Sequence, residues 1–95
     1  MEIELRFFAS FREAVGQKRL ERSYEDGTTV GEILAELEAE FNDLEGNLLD
    51  EQGEIRPNLS ILRNGHDVVH TDGVETRLEP GDELSVFPPV AGGGS

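Results

Sequence analysis

An α+β fold, with one main helix packed on one face of a mixed four- to five-stranded sheet, is predicted by three features of this sequence. Positions 2–8 alternate apolar and charged side chains, the period of a half-buried strand. Positions 30–41 repeat their apolar residues at helical spacing. Short strand-like runs resume after position 58, two of them joined by Asn64-Gly65. The 95 residues suit one domain, and a hydrophobic content of 36% supplies one modest core with little to spare for a deep active site.

In the first strand Ile3, Leu5 and Phe7 face one way and Glu2, Glu4 and Arg6 the other. Ser10-Phe11-Arg12-Glu13 has the form of a capping box, opening a short helix that Gly16 stops. Gln17–Tyr24 is a weaker strand, with Leu20 and Tyr24 on one parity and Asp26-Gly27 turning the chain after it. The two strands, tightly connected, read as a hairpin. Thr29-Val30-Gly31-Glu32 is a second capping box, at the head of the main helix. Val30, Ile33, Leu34, Leu37 and Phe41 fall within about 100° of one another on that helix, with Glu32 and Glu36 opposite.

Leu44, Leu48 and Leu49 suggest a further helical turn, before a loop carrying Gly53 and Pro57. Leu59–Arg63 is a strand that Asn64-Gly65 returns through His66–Val69. Thr71-Asp72-Gly73 begins a loop, Glu79-Pro80-Gly81-Asp82 reads as a type II turn, and Glu83–Phe87 is the last strand. Leu84 and Val86 share its inward parity, so Phe87 points away from the helix; Phe8 is ambiguous by parity. This order allows the first and last strands to pair in parallel at the sheet centre, which is the β-grasp, or ubiquitin-like, architecture.

The charge excludes whole classes of partner. Twenty-one acidic against eight basic residues give −13, and Lys18 is the only lysine. Such a surface repels nucleic acid and anionic membranes. Self-repulsion of this size is screened at molar salt, where the Debye length is about 3 Å, so the balance fits a salt-rich cytoplasm; an acidic domain that binds a basic partner has the same look. The absence of cysteine removes disulfide scaffolds, thiolate zinc sites, iron–sulfur clusters and thiol catalysis. Met-Glu-Ile-Glu at the start has neither the basic nor the apolar region of a signal peptide, and no run reaches membrane-spanning length. A soluble cytoplasmic protein is expected.

The end of the chain carries the chemistry. A β-grasp domain over residues 1–87 would be followed by a flexible tail over 88–95, reading Pro88-Pro89-Val90-Ala91-Gly92-Gly93-Gly94-Ser95. Two prolines cannot continue a paired strand and favour an extended polyproline conformation. From Pro88 to Gly93 such a segment reaches roughly 20 Å. Its glycines have no side chain to obstruct a narrow channel, which suits a carboxylate delivered into another protein's active site. Glycine–serine tails are otherwise solvated linkers.

Three segments resemble one family. Leu5-Arg6-Phe7-Phe8-Ala9-Ser10-Phe11-Arg12-Glu13-Ala14-Val15-Gly16 looks like the opening of MoaD, the small subunit of molybdopterin synthase, and Thr29-Val30-Gly31-Glu32-Ile33-Leu34 looks like its helix start. Gly81-Asp82-Glu83-Leu84-Ser85-Val86-Phe87-Pro88-Pro89-Val90-Ala91-Gly92-Gly93 matches the family's ending, the most specific of the three. With the acidic composition, the chain resembles the MoaD/ThiS-type ubiquitin-like proteins, and among them the haloarchaeal small archaeal modifier proteins.

The resemblance implies that an E1-like enzyme adenylates the C-terminal glycine with ATP. The acyl adenylate then becomes a thiocarboxylate that delivers sulfur, or is coupled to a lysine of a target protein. Gly93 would be the reactive position and Gly92 its slender approach; the chain itself would bind no cofactor or metal and catalyse nothing. Family members that react directly end at Gly-Gly, whereas Gly94 and Ser95 follow here, so the resemblance implies a processing protease, an engineered addition or activation at an unusual terminus. Phe87, Pro88, Pro89 and Val90 are candidate partner contacts, since an aromatic beside a functional terminus makes an anchor. Lys18 and the N-terminal amine are the only amines through which the protein could modify itself.

Two other roles fit the same residues. The chain could serve only as a MoaD-type small subunit that docks its tail into a MoaE-type large subunit, or it could be a β-grasp interaction module without C-terminal chemistry. An independent enzyme has less support. His66 and His70 are four apart, a ligand spacing on a helix but not on a strand, and read as surface histidines. Ser60 and Ser85 lack a nucleophile-elbow setting, and the carboxylates lack calcium-loop spacing and read as a solvated face.

Overall fold

The alternation of positions 2–7 becomes β1 (Glu2–Phe7), whose Ile3, Leu5 and Phe7 are buried. The structure, a computed structural model, describes residues 1–89. Helix α1 (Ala9–Val15) follows, then β2 (Arg19–Ser23), the main helix α2 (Val30–Glu40), β3 (Ser60–Arg63), β4 (His66–Asp67) and β5 (Glu83–Phe87). The five strands form one sheet in the order β2-β1-β5-β3-β4. β1 and β5 are the parallel pair near the centre, with Leu5 opposite Leu84 and Phe7 opposite Val86. Every other pairing is antiparallel.

Helix α2 is capped as its sequence demands. The Glu32 amide donates to Thr29 Oγ1 at 3.2 Å while the Thr29 amide donates to Glu32 Oε1 at 2.9 Å. Its stripe of Val30, Ile33, Leu34 and Leu37 is fully buried and joins Ile3, Leu5, Ile61, Leu84 and Val86 in the core. Phe41 ends the helix and is only partly buried. The edge strand is tied to this helix as well: Arg22 donates to both Glu40 oxygens at 2.5 and 2.6 Å, and the Tyr24 hydroxyl donates to Glu36 at 2.7 Å.

Four local expectations are corrected by tertiary context. The Ser10 capping box does not form: β1 stays extended through Phe8, Ala9 turns with φ 51°, and the helix starts ahead of Ser10 with no side-chain cap. β1 and β2 pair antiparallel as expected, but through α1 rather than a tight connection. The helical turn expected at Leu44–Leu49 is limited to Asn42–Leu44, because Glu38 Oε2 accepts the amides of both Leu48 and Leu49 at 2.9 Å and draws that segment inward. The strand expected over His66–Val69 stops at Asp67, whose carboxylate accepts the Val69 amide at 3.0 Å and starts a 3₁₀ turn that buries Val68.

Gly31, one residue into α2, has a packing role that capping does not explain. A Cβ there would stand 2.9 Å from Val74 Cβ and 3.0 Å from the Val74 carbonyl oxygen, where the 3₁₀ turn Gly73–Glu75 crosses the helix. Alanine is the better helix former by about 1 kcal/mol, yet the crowding it creates costs about 1–3 kcal/mol. Gly31→Ala is therefore expected to lower the urea-unfolding free energy by about 1 kcal/mol. An unchanged or raised midpoint would show that Val74 gives way freely.

Candidate functional site

β5 leaves the fold from its interior. β1 holds one side of the strand and β3 the other, with Ser60 opposite Phe87 and Phe7 opposite Val86. Leu84 and Val86 are fully buried beneath α2. Phe87, one residue on, lies on the opposite face, as its parity predicts, so the chain emerges with a set direction.

On that face Phe87 stacks against Phe8, ring centroids 4.1 Å apart and planes 11° from parallel. Such a pair contributes about 0.5–1.5 kcal/mol beyond its buried area. Phe8 reaches it because its backbone remains extended, at φ −130° and ψ 152°, before Ala9 reverses the chain. Ala9 adopts a left-handed conformation that side chains other than glycine seldom take, a strain of about 1–3 kcal/mol that the flanking strand and helix hold in place. The stacked rings, Leu62, Asn58 and the two prolines line an open, largely apolar groove. Pro88 and Pro89 also border a second cleft on their other side, shared with Glu13, Asp43, Asn47 and Arg56. The prolines thus form a ridge between an apolar groove and one of mixed polarity.

The opposite end of β5 is anchored by the buried Asp82. Its Oδ2 accepts Arg63 Nε at 2.7 Å and the Glu79 amide at 2.8 Å, and its Oδ1 accepts Asn64 Nδ2 at 2.9 Å. Asn64 Oδ1 in turn accepts the Glu83 amide at 2.9 Å. This network joins the Asn64-Gly65 turn, where φ is 51° and 87°, to the Glu79–Asp82 turn, where Gly81 supplies the φ of 86° that a type II turn requires. Burial pushes the Asp82 carboxyl up, but the Glu79 amide, the Asn64 amide and the Arg63 guanidinium outweigh it and hold the group below the usual aspartate range.

The expected contact residues Phe87, Pro88 and Pro89 come together here; Val90, Gly92 and Gly93 lie outside the described residues. Lys18 is exposed in the α1–β2 connection. His66 and His70 are both exposed, and among the described residues no group of three His, Asp or Glu side chains could hold a metal. No described helix is long and apolar enough to cross a membrane. Sequence reasoning did not place Phe8 or Leu62 in the site. The Phe7-Phe8 doublet was the available signal, since adjacent strand residues cannot both face the core.

A model of the ThiS family matches residues 5–93. Small archaeal modifier protein 3 of Haloferax volcanii is 56% identical over 93 residues, which are 98% of this chain and 100% of that protein. The sulfur carrier protein CysO of Mycobacterium tuberculosis is 32% identical over 80 residues, 82% of this chain and 83% of the relative. The crystal structure of small archaeal modifier protein 1 from Haloferax volcanii matches with a TM-score of 0.81 at 30% identity, covering 98% of this chain and 100% of that one. These neighbours share the ubiquitin-like β-grasp architecture seen here.

Proposed function

The chain belongs to the ThiS family, and we propose that it acts through the carboxylate of Gly93, delivered by a tail that leaves the fold beside the Phe8–Phe87 stack. It is a ubiquitin-like modifier and sulfur carrier, a substrate of activating chemistry rather than a catalyst. The observation that carries the mechanism is the root of the tail: β5, paired on both sides, sends Pro88 and Pro89 out of a rigid sheet. Residues 1–87 are the carrier body in this reading, and 88–95 the segment presented to partners.

A carboxylate is a poor electrophile. An E1-like enzyme overcomes this by joining the Gly93 carboxylate to the α-phosphate of ATP and releasing pyrophosphate, so that AMP becomes the leaving group. Sulfur attack on that acyl carbon yields a thiocarboxylate; attack by a target lysine yields an isopeptide bond. The chain needs no cofactor of its own for either outcome. Phe87, Pro88, Pro89 and Val90 supply the surface that the activating enzyme grips. A MoaE-type large subunit would read the same root if the thiocarboxylate serves molybdenum cofactor synthesis. The higher identity to a modifier protein than to CysO favours conjugation as a role alongside sulfur delivery.

Gly94 and Ser95 lie beyond the family match, which ends at Gly93. A processing protease removes them in the functional form. The acidic, lysine-poor surface fits work in a salt-rich cytoplasm. Intact and peptide mass spectrometry of the protein from its own cells tests the reading. The expected terminus is Gly93, carrying sulfur in place of oxygen or joined to lysines of other proteins. If every molecule keeps Ser95 as an ordinary carboxylate, the reading fails and an interaction module takes its place.

A further inference from the structure

Asn64-Gly65 is the only Asn-Gly pair in the sequence, and both residues are exposed at the β3–β4 turn. The pair has a chemistry of its own. An asparagine side-chain carbon can be attacked by the nitrogen of the following peptide bond, and glycine offers that nitrogen with no side chain in the way. A Cβ at Gly65 would meet nothing within 4 Å, so the turn is also open to water. Both residues carry left-handed φ angles, 51° and 87°, the conformation of a two-residue hairpin turn.

The fold holds the Asn64 side chain away from that reaction. The Asn64 backbone N–H donates to the Glu83 carbonyl oxygen at 2.9 Å, and its Oδ1 accepts the Glu83 amide at 2.9 Å. Asn64 thus adds one more rung beyond the Arg63–Leu84 pair, half backbone and half side chain. Its Nδ2 donates to Oδ1 of the buried Asp82 at 2.9 Å, and Asp82 is held in turn by Arg63 and the Glu79 amide. Both polar atoms of the side chain are therefore committed to the start of β5. Ring closure onto Gly65 requires the same side chain to release both bonds and swing back over its own backbone.

We propose that Asn64 is a deamidation site gated by the Asp82 network, its amide retained while bonded to β5 and lost when that anchor opens. In the reaction the Gly65 nitrogen gives its proton to solvent base and attacks Cγ of Asn64. The new N–C bond closes a five-membered succinimide, the Cγ–Nδ2 bond breaks, and Nδ2 takes a proton from water and leaves as ammonia. Water then adds to one of the two ring carbonyls and opens the ring, giving aspartate or isoaspartate at position 64. The product does not rebuild the anchor. A carboxylate there has no hydrogen to offer Asp82 and faces it with a second negative charge, on a chain already at −13. Isoaspartate also adds a methylene to the main chain inside the turn. The change is one-way, so it marks copies in which the start of the tail-bearing strand has come loose.

The test incubates full-length protein in mildly alkaline buffer at molar salt, where self-repulsion is screened, beside the same chain unfolded in guanidinium. Peptide mapping by mass spectrometry follows asparagine, aspartate and isoaspartate at position 64 with time, and native NMR spectra select conditions under which the variants are folded. Folded wild type is expected to react about tenfold or more slowly than the unfolded chain, since two side-chain hydrogen bonds must break first. Asp82→Ala is expected to react about tenfold faster than wild type, because it frees Nδ2. Leu37→Ala, a truncation in the buried stripe of α2, loses comparable stability outside the network and is expected to stay near the wild-type rate. Asn64→Asp is expected to unfold at a lower urea concentration than wild type at neutral pH. Equal rates in folded and unfolded wild type, or no product in the unfolded chain, overturn the proposal. So does an Asp82→Ala rate equal to that of wild type or of Leu37→Ala, since the turn alone or global unfolding then sets the rate. An unchanged midpoint for Asn64→Asp overturns the claim that the product breaks the anchor.

Discussion

Deletion of Gly92–Ser95 is expected to abolish every thiocarboxylate and isopeptide product while leaving the urea midpoint unchanged, within about 0.5 kcal/mol of stability. The asymmetry follows from where the fold is complete. Both pairings of β5 end by Phe87, and the core cluster ends at Val86. The proposed reactive carbonyl, that of Gly93, lies several residues further on in the sequence. A Phe87→Ala substitution has the opposite character, because it opens the stack on Phe8 without touching Gly93. It should weaken binding of the activating enzyme and leave the tail able to react at high enzyme concentration. The two variants therefore separate chemistry from docking. A truncated chain that retains its cellular function would convert the protein into a plain interaction module.

Asp82→Ala is expected to lower the unfolding free energy by about 3 kcal/mol, a loss on the scale of a large-to-small change in the core. It removes three accepted hydrogen bonds at once and strips Arg63 of its closest carboxylate partner. The remaining carboxylate near Arg63 is the exposed Glu79 at 3.7 Å, a weak replacement. A loss of this size is a large share of the 5–15 kcal/mol typical of small domains. Its pH dependence has a definite sign. Because the folded Asp82 carboxyl sits below the usual aspartate range, its stabilisation is fully present above that range and is lost as the pH falls through the folded value. The stability gap between wild type and Asp82→Ala should therefore be widest near neutral pH and close on acidification, in urea titrations stepped down from pH 7. A gap that widened in acid would contradict the network.

Elements legible in the sequence were those whose signal is local. The period-two run of β1, the Thr29 cap and apolar stripe of α2, the Asn64-Gly65 turn and the span of β5 all stand as read. Local reasoning failed where a distant contact competes with a nearby one. Ser10 and Glu13 carry the letters of a capping box, yet the pairing of β1 with β5 keeps Phe8 extended and begins the helix earlier. The Asn64-Gly65 turn reads as returning a strand over positions 66–69, yet the Asp67 carboxylate captures the Val69 amide. Gly31 looked like part of a cap and is in fact the floor under Val74.

The sequence by itself determined the fold class and the orientation of Phe87, and the resemblance of its closing segment is what points to Gly93 as the proposed reactive end. These are readable because strand parity, helical period and a terminal motif are properties of neighbouring residues. Only the tertiary structure decided that Phe8 meets Phe87, that Asp82 joins two turns, and that Arg6, Arg12, Lys18 and Arg19 share one recess. Those contacts join residues brought near by sheet order and register, which no single segment encodes.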